Sequence, residues 1–143
     1  MGSKARLTES TFDSLAAMMA AYAEEAVRAA WRDHRRRLDL TDSSVEELEQ
    51  ILDGQSAEDL DFQSRLWGSY FGEVIRQRFG GEWEFTEHPG SGASVVPTLL
   101  VRGAKLYPLM KVYRRLTLGK AEDLRPFYAM VSSRLGSPTQ PPT

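Results

Sequence analysis

The chain has 143 residues, 41% hydrophobic and 27% charged, with a formal net charge of −2; that is the size and make-up of one ordinary globular domain, not of a chain too polar to fold. It contains no cysteine, which excludes disulfides, a thiolate nucleophile and zinc sites of the cysteine type, and fits a reducing cytoplasm. No apolar run approaches the roughly 20 residues of a membrane span, and the N-terminus lacks a signal-peptide core, so a cytoplasmic protein is expected.

Met1-Gly2-Ser3 is given no structural weight. A first helix is expected from about Thr8 to Arg37, because Phe12, Leu15, Met19, Tyr22, Ala26 and Ala29 recur at three- and four-residue spacing. Arg32, Arg35, Arg36 and Arg37 crowd its end. Their plain role is to complement the negative end of the helix dipole, worth about 0.3–1 kcal/mol per charge; the other is an anion- or phosphate-binding patch.

The charge is unevenly spread. Residues 1–37 carry seven basic and five acidic side chains, residues 38–62 nine acidic and no Lys or Arg, and residues 63–143 eleven basic and six acidic. The acidic block holds a second helix. Ser43 with Glu46, or Ser44 with Glu47, fits a capping box. Val45, Leu48, Ile51 and Leu52 form its apolar face, and Gly54 ends it.

A third helix, from Ser56 or Ala57 to Phe79, leads into the helix-to-strand passage Leu66–Phe85. At about 100° per residue, Trp67, Tyr70, Phe71, Val74 and Ile75 share the apolar side. Gly68 and Gly72 lie one turn apart, where another backbone is expected to approach closely. Ser69, Glu73 and Arg76 fall on the side expected to face water. Arg78 sits amid the apolar side in the last turn, within reach of terminal carbonyls or of a carboxylate across the core edge.

Gly80-Gly81 stops this helix. Glu82 to Glu87 alternates as a half-buried strand, with Trp83 and Phe85 toward the core. His88 to Gly92 reads as a loop. Val95 to Val101 reads as a strand that Pro97 confines to an edge or to its own start. Arg102-Gly103 makes a tight turn into Ala104 to Tyr107. Pro108 opens a fourth helix, with Leu109, Val112, Tyr113 and Leu116 on one face and Lys111, Arg114 and Arg115 on the other. Gly119 closes it. Asp123 caps a last helix that buries Leu124, Phe127, Val131 and Leu135. The expectation is one α+β domain over residues 1–136, helices packed on one face of a small, about three-stranded antiparallel sheet, with a proline-rich tail over 137–143.

The order of motifs DSSVEELEQIL, GSYFGEVIRQRFGGEW, a hairpin, YPLMKVYRRLTLG and an acidic cap leading to PFY resembles a family of small bacterial proteins classed as a domain of unknown function. Its members share a GEV-type helix, a GG-x-W strand entry and a Pro-x-x-Lys-Val helix followed by Gly, Glu-Asp and Phe-Tyr. The resemblance spans roughly residues 38 to 131. It departs at one point, because the Glu-Asp pair follows Lys120-Ala121 and not the glycine directly. It implies a fold and a bacterial source, and brings neither an activity nor catalytic residues.

Nothing in the sequence carries a catalytic or metal-binding pattern such as HExxH, a phosphate loop or GxSxG. His88 beside Glu84 or Glu87 is the one local metal set, and a lone histidine near glutamate is ordinarily no site. No cofactor is expected, and the balance leans against an enzyme. The leading expectation is a regulatory or immunity-type protein-binding module whose acidic residues Glu46, Glu47, Glu49 and Asp53 face a basic partner. The alternatives are a ligand or enzyme site around Glu73, Arg78 and Lys111, and a weak nucleic-acid surface formed by Arg32, Arg35 and Arg36 with Lys111, Arg114 and Arg115. The acidic block opposes the last of these.

Overall fold

Helix α3 (Leu60–Phe79) is the axis on which the other elements assemble. Every residue from Phe62 to Ile75 except Arg65 is buried, because α3 is enclosed by α1 (Leu15–His34), α4 (Pro108–Leu118) and the sheet. The computed structural model describes residues 12–88 and 95–136. Among these, the remaining elements are α2 (Ser44–Asp53), β1 (Glu82–Thr86), β2 (Val96–Val101), β3 (Ala104–Leu106), a 3₁₀ turn at Gly119–Glu122 and α5 (Leu124–Leu135). The strands run in the order β1-β2-β3, antiparallel throughout. The protein is α+β, its helices packed against a three-stranded sheet.

Enclosure of α3 narrows the expected wet side. Ser69 and Glu73 are buried, while Arg76 on the same side stays partly exposed, its side chain at 38%. The two glycines do admit close neighbours. A Cβ on Gly68 would lie 2.6 Å from Leu109 Cα, so at this point another backbone does approach. At Gly72 the neighbour is a side chain: a Cβ would lie 2.3 Å from the Trp83 ring. Trp83 Nε1 donates to Glu73 Oε2 at 2.7 Å, so the glycine and the carboxylate together seat the indole.

Pro97 lies in the central strand, which the chain tolerates for a local reason. The β2–β3 ladder covers only Leu99, Leu100 and Val101, and Pro97 pairs with Phe85 of β1 alone. At that residue β2 is an edge, where a missing N–H costs no ladder bond. Phe85 shares the Trp83 side but stands near the end of the ladder and is 42% exposed, so it does not reach the core as expected. Arg102 and Gly103 both have positive φ (51° and 83°), as the hairpin turn they form requires.

The helix boundaries tighten. Helix α1 starts at Leu15, where the Ser14 side chain accepts from Ala17 N–H, and stops at His34. Thr8 lies outside the described residues, as do most of the His88–Gly92 loop and the 137–143 tail. Helix α3 starts at Leu60, later than expected. In α4, Tyr113 is exposed and Arg115 is buried, a reversal of the expected faces. Asp123 caps α5, its carboxylate accepting from Arg125 N–H.

Candidate functional site

The arginine-rich end of α1 is shaped by two left-handed residues. Arg35 adopts φ 54°, ψ 36°, a conformation that costs a side-chain-bearing residue about 1–2 kcal/mol and normally falls to glycine. Its N–H donates to Trp31 O, and Arg36 N–H to Ala30 O. These bonds wrap the chain back over the last turn. The Arg35 and Arg37 guanidiniums consequently lie over the Trp31 ring, 5.4 and 5.3 Å from its centre. Trp31 is 50% exposed. Among the described residues neither Arg35 nor Arg37 makes a salt bridge. Arg36 is paired, its Nη1 2.8 Å from Glu47 Oε1.

The second left-handed residue is Leu40, φ 66°. Its N–H donates to the Tyr70 hydroxyl at 2.7 Å. Tyr70 in turn donates to Ser44 Oγ, and Ser44 Oγ to Thr41 O. Burial raises the Tyr70 pKa above its ordinary value, so the hydroxyl stays neutral and able to donate. With Leu38 buried between the two turns, the segment from Arg35 to Leu40 is held at both ends and in its middle.

This segment and the start of α2 enclose an open cleft of about 570 Å³, lined by Trp31, His34, the three arginines, Asp39, Ser43, Ser44 and Glu47. The first N–H groups of α2 are already bonded. The N–H groups of Ser44, Val45 and Glu46 bond to Thr41, Asp42 and Ser43 carbonyls, and the expected capping box does not form, because Ser43 makes no side-chain cap. Positive potential in the cleft is therefore guanidinium charge. Its two carboxylates are engaged: Glu47 by Arg36, and Asp39 by Thr41, whose N–H and hydroxyl donate to it and lower its pKa. Burial holds the His34 pKa below 6.5, against the pull of Asp33 and with the push of Arg36, so His34 is neutral at pH 7.

The acidic residues singled out in the sequence are all engaged within the chain. Glu49 is 2% exposed. It accepts from Arg115 Nε at 2.8 Å and from Leu124 N–H at 3.1 Å. It belongs to the core and not to a docking face, because a cation and an N–H donor satisfy its charge there. Asp53 takes the other side of Arg115, 2.8 Å from Nη2. Glu46 pairs with Arg125 at 2.9 Å and Glu47 with Arg36.

Glu73, Arg78 and Lys111 do not meet. Glu73 receives two bonds from Arg76, at 2.9 and 3.0 Å, besides that of Trp83. Arg78 reaches Asp42, across the core edge, and Tyr128 joins the same carboxylate. Lys111 bonds Glu122 at 2.9 Å and lies over Phe127. Lys111, Arg114 and Arg115 likewise form no common basic patch, since Arg115 is buried in its pair. His88 packs edge-on to Tyr107, 4.4 Å between ring centres. Among the described residues no group of three His, Asp or Glu side chains could hold a metal ion, and no helix is long and apolar enough to cross a membrane.

Sequence reasoning found the arginines but missed Trp31. The available signal was a large aromatic off the apolar stripe of its own helix and adjacent to the basic run.

No family model matches the chain, and no curated protein matches it. A crystal structure of a protein from Bacteroides thetaiotaomicron VPI-5482 is similar over 91% of this chain, with a TM-score of 0.66 and 16% identity. This chain spans less than half of that protein, 46% of its length. The likeness shows the fold.

Proposed function

We propose that this chain is a non-catalytic protein-binding module of the regulatory or immunity type, acting in the cytoplasm, which takes an acidic segment of its partner into the arginine–tryptophan cleft. The observation that carries the reading is Trp31, half exposed beneath two guanidiniums that make no salt bridge among the described residues. Tryptophan and arginine dominate the energetics of protein interfaces. Stacking on the ring preorganises the guanidiniums, so less freedom is lost on binding. The partner is acidic, the reverse of the basic partner that the acidic block suggested, because the four acids are matched internally by Arg125, Arg36 and Arg115.

The left-handed Arg35 separates binding from stability. Glycine would relieve about 1–2 kcal/mol of strain and lose part of that to its greater freedom in the unfolded chain. Arg35→Gly is therefore expected to raise the melting temperature by a few degrees while weakening the binding of an Asp/Glu-rich peptide measured by calorimetry. Trp31→Ala is expected to weaken it at least about 30-fold, the range of an interface hot spot. Undiminished peptide affinity in both variants would sink the reading.

A further inference from the structure

We propose that the cleft selects a dianionic phosphoryl group, carried by a phosphorylated serine or threonine of the partner, over single carboxylates, and that Glu47 sets this selectivity. The inference rests on the reading of the cleft as the docking site.

Three consecutive arginines line one cleft, and the middle one already holds a carboxylate. Arg36 Nη1 and Glu47 Oε1 are 2.8 Å apart, with both side chains more than a third exposed. Glu47 is thus an internal competitor. A partner's Asp or Glu would exchange one Arg36–carboxylate pair for another of the same kind. The resident is tethered, so its effective concentration is in the millimolar range or above. A single carboxylate gains little by that exchange.

A phosphomonoester differs in both charge and valence. It carries about −1.5 to −2 at pH 7 and three strong acceptor oxygens. One such group can accept from Arg35 and Arg37, which make no salt bridge among the described residues although Arg37 attracts Asp39 at longer range, and still outbid Glu47 for Arg36. Guanidinium geometry suits paired bonds to phosphate oxygens. Asp39 and Glu47 at the cleft wall repel any anion, a dianion more strongly than a carboxylate, and that cost is recovered only by the ligand that makes more bonds to the arginines. A repulsive element that screens out the weaker competitor is a common source of specificity.

Calorimetry would compare four probes against the wild-type chain: a peptide with a central phosphoserine, its serine and glutamate analogues, and inorganic phosphate. The phosphopeptide is expected to bind at least tenfold tighter than each of the other three. In Glu47→Gln the glutamate analogue should gain affinity severalfold and the phosphopeptide less, so that their ratio shrinks. Arg37→Ala should cost the phosphopeptide about tenfold with the melting temperature unchanged. A ratio that is near one in wild type, or unaltered in Glu47→Gln, overturns the proposal while leaving the acidic docking site intact. Inorganic phosphate binding as tightly as the phosphopeptide overturns a protein-borne source. If no probe binds either chain, the docking reading falls as well.

Discussion

Gly72 illustrates how a single absent Cβ organises a contact. The Trp83 ring occupies the space a methyl group would need, and its N–H is tied to Glu73 one residue on. The indole cannot slide away without leaving a buried donor and a buried carboxylate short of a partner, at about 1–3 kcal/mol for such a group. Gly72→Ala is therefore expected to destabilise by about 1–3 kcal/mol, the usual cost of overpacking, in urea unfolding. Gly54 makes the control. It has φ −97° and its added Cβ would meet nothing nearer than 3.8 Å, so Gly54→Ala should fall within about 0.5 kcal/mol of wild type. The sequence pointed to close packing at Gly68 and Gly72 because glycine is costly within a helix. It could not say which neighbour would arrive, since that depends on strand β1 for Gly72 and on the distant helix α4 for Gly68.

Between elements, the clasp of α2 on α4 and α5 is the interaction most hidden from a linear reading. Arg115 is 4% exposed, lying between Glu49 and Asp53, and Glu49 also accepts from Leu124 N–H at the first turn of α5. Burial opposes the charged guanidinium, but the bonds it donates to the two carboxylates outweigh that and raise the Arg115 pKa. Arg115→Met would leave Glu49 buried without its cation, and a loss of about 3–5 kcal/mol is expected. Adding Glu49→Gln, which keeps an acceptor for Leu124, should restore part of that loss. Simple additivity of the two changes in a double-mutant cycle would contradict the clasp. Periodicity assigned Arg115 to the wet side of α4 because a 3.6-residue pattern treats every charge as exposed; a buried pair whose members are 66 positions apart leaves no periodic mark. The apolar faces of α2 and α5 and the turn at Arg102-Gly103 were legible, because local spacing and backbone preference decide them.

At the scale of the molecule, the uneven charge of the sequence becomes a network once the chain folds. Carboxylates of the 38–62 block meet basic groups from the segment that follows α1 and from α3, α4 and α5. Acid should lower the stability of the chain in two stages. The His34 pKa is lowered below 6.5 in the folded chain, so as pH falls through 6.5 the unfolded chain takes up the proton first and stability declines toward the lower folded value. Glu122 and Asp123 have pKa values depressed from 4.5 and 3.8, chiefly by bonds from Lys111 and Arg125. Their contribution is present above those values and is lost as pH drops through the lower folded ones. Denaturant midpoints between pH 8 and 3 should show both stages. His34→Gln should flatten the first and spare the second, and an unchanged midpoint from pH 7 to 5 in wild type would contradict the first.

The chain has three tryptophans, and Trp67 and Trp83 are buried while Trp31 is half exposed. Its emission should therefore contain one red-shifted, quenchable component and two shielded ones. With arginines gathered over the exposed ring, iodide should quench that component efficiently and caesium poorly, although both ions reach open surface equally. Anything that fills the cleft would cut off the iodide. The protein thus carries an unlabelled optical gauge of its own occupancy, readable before any partner has been identified.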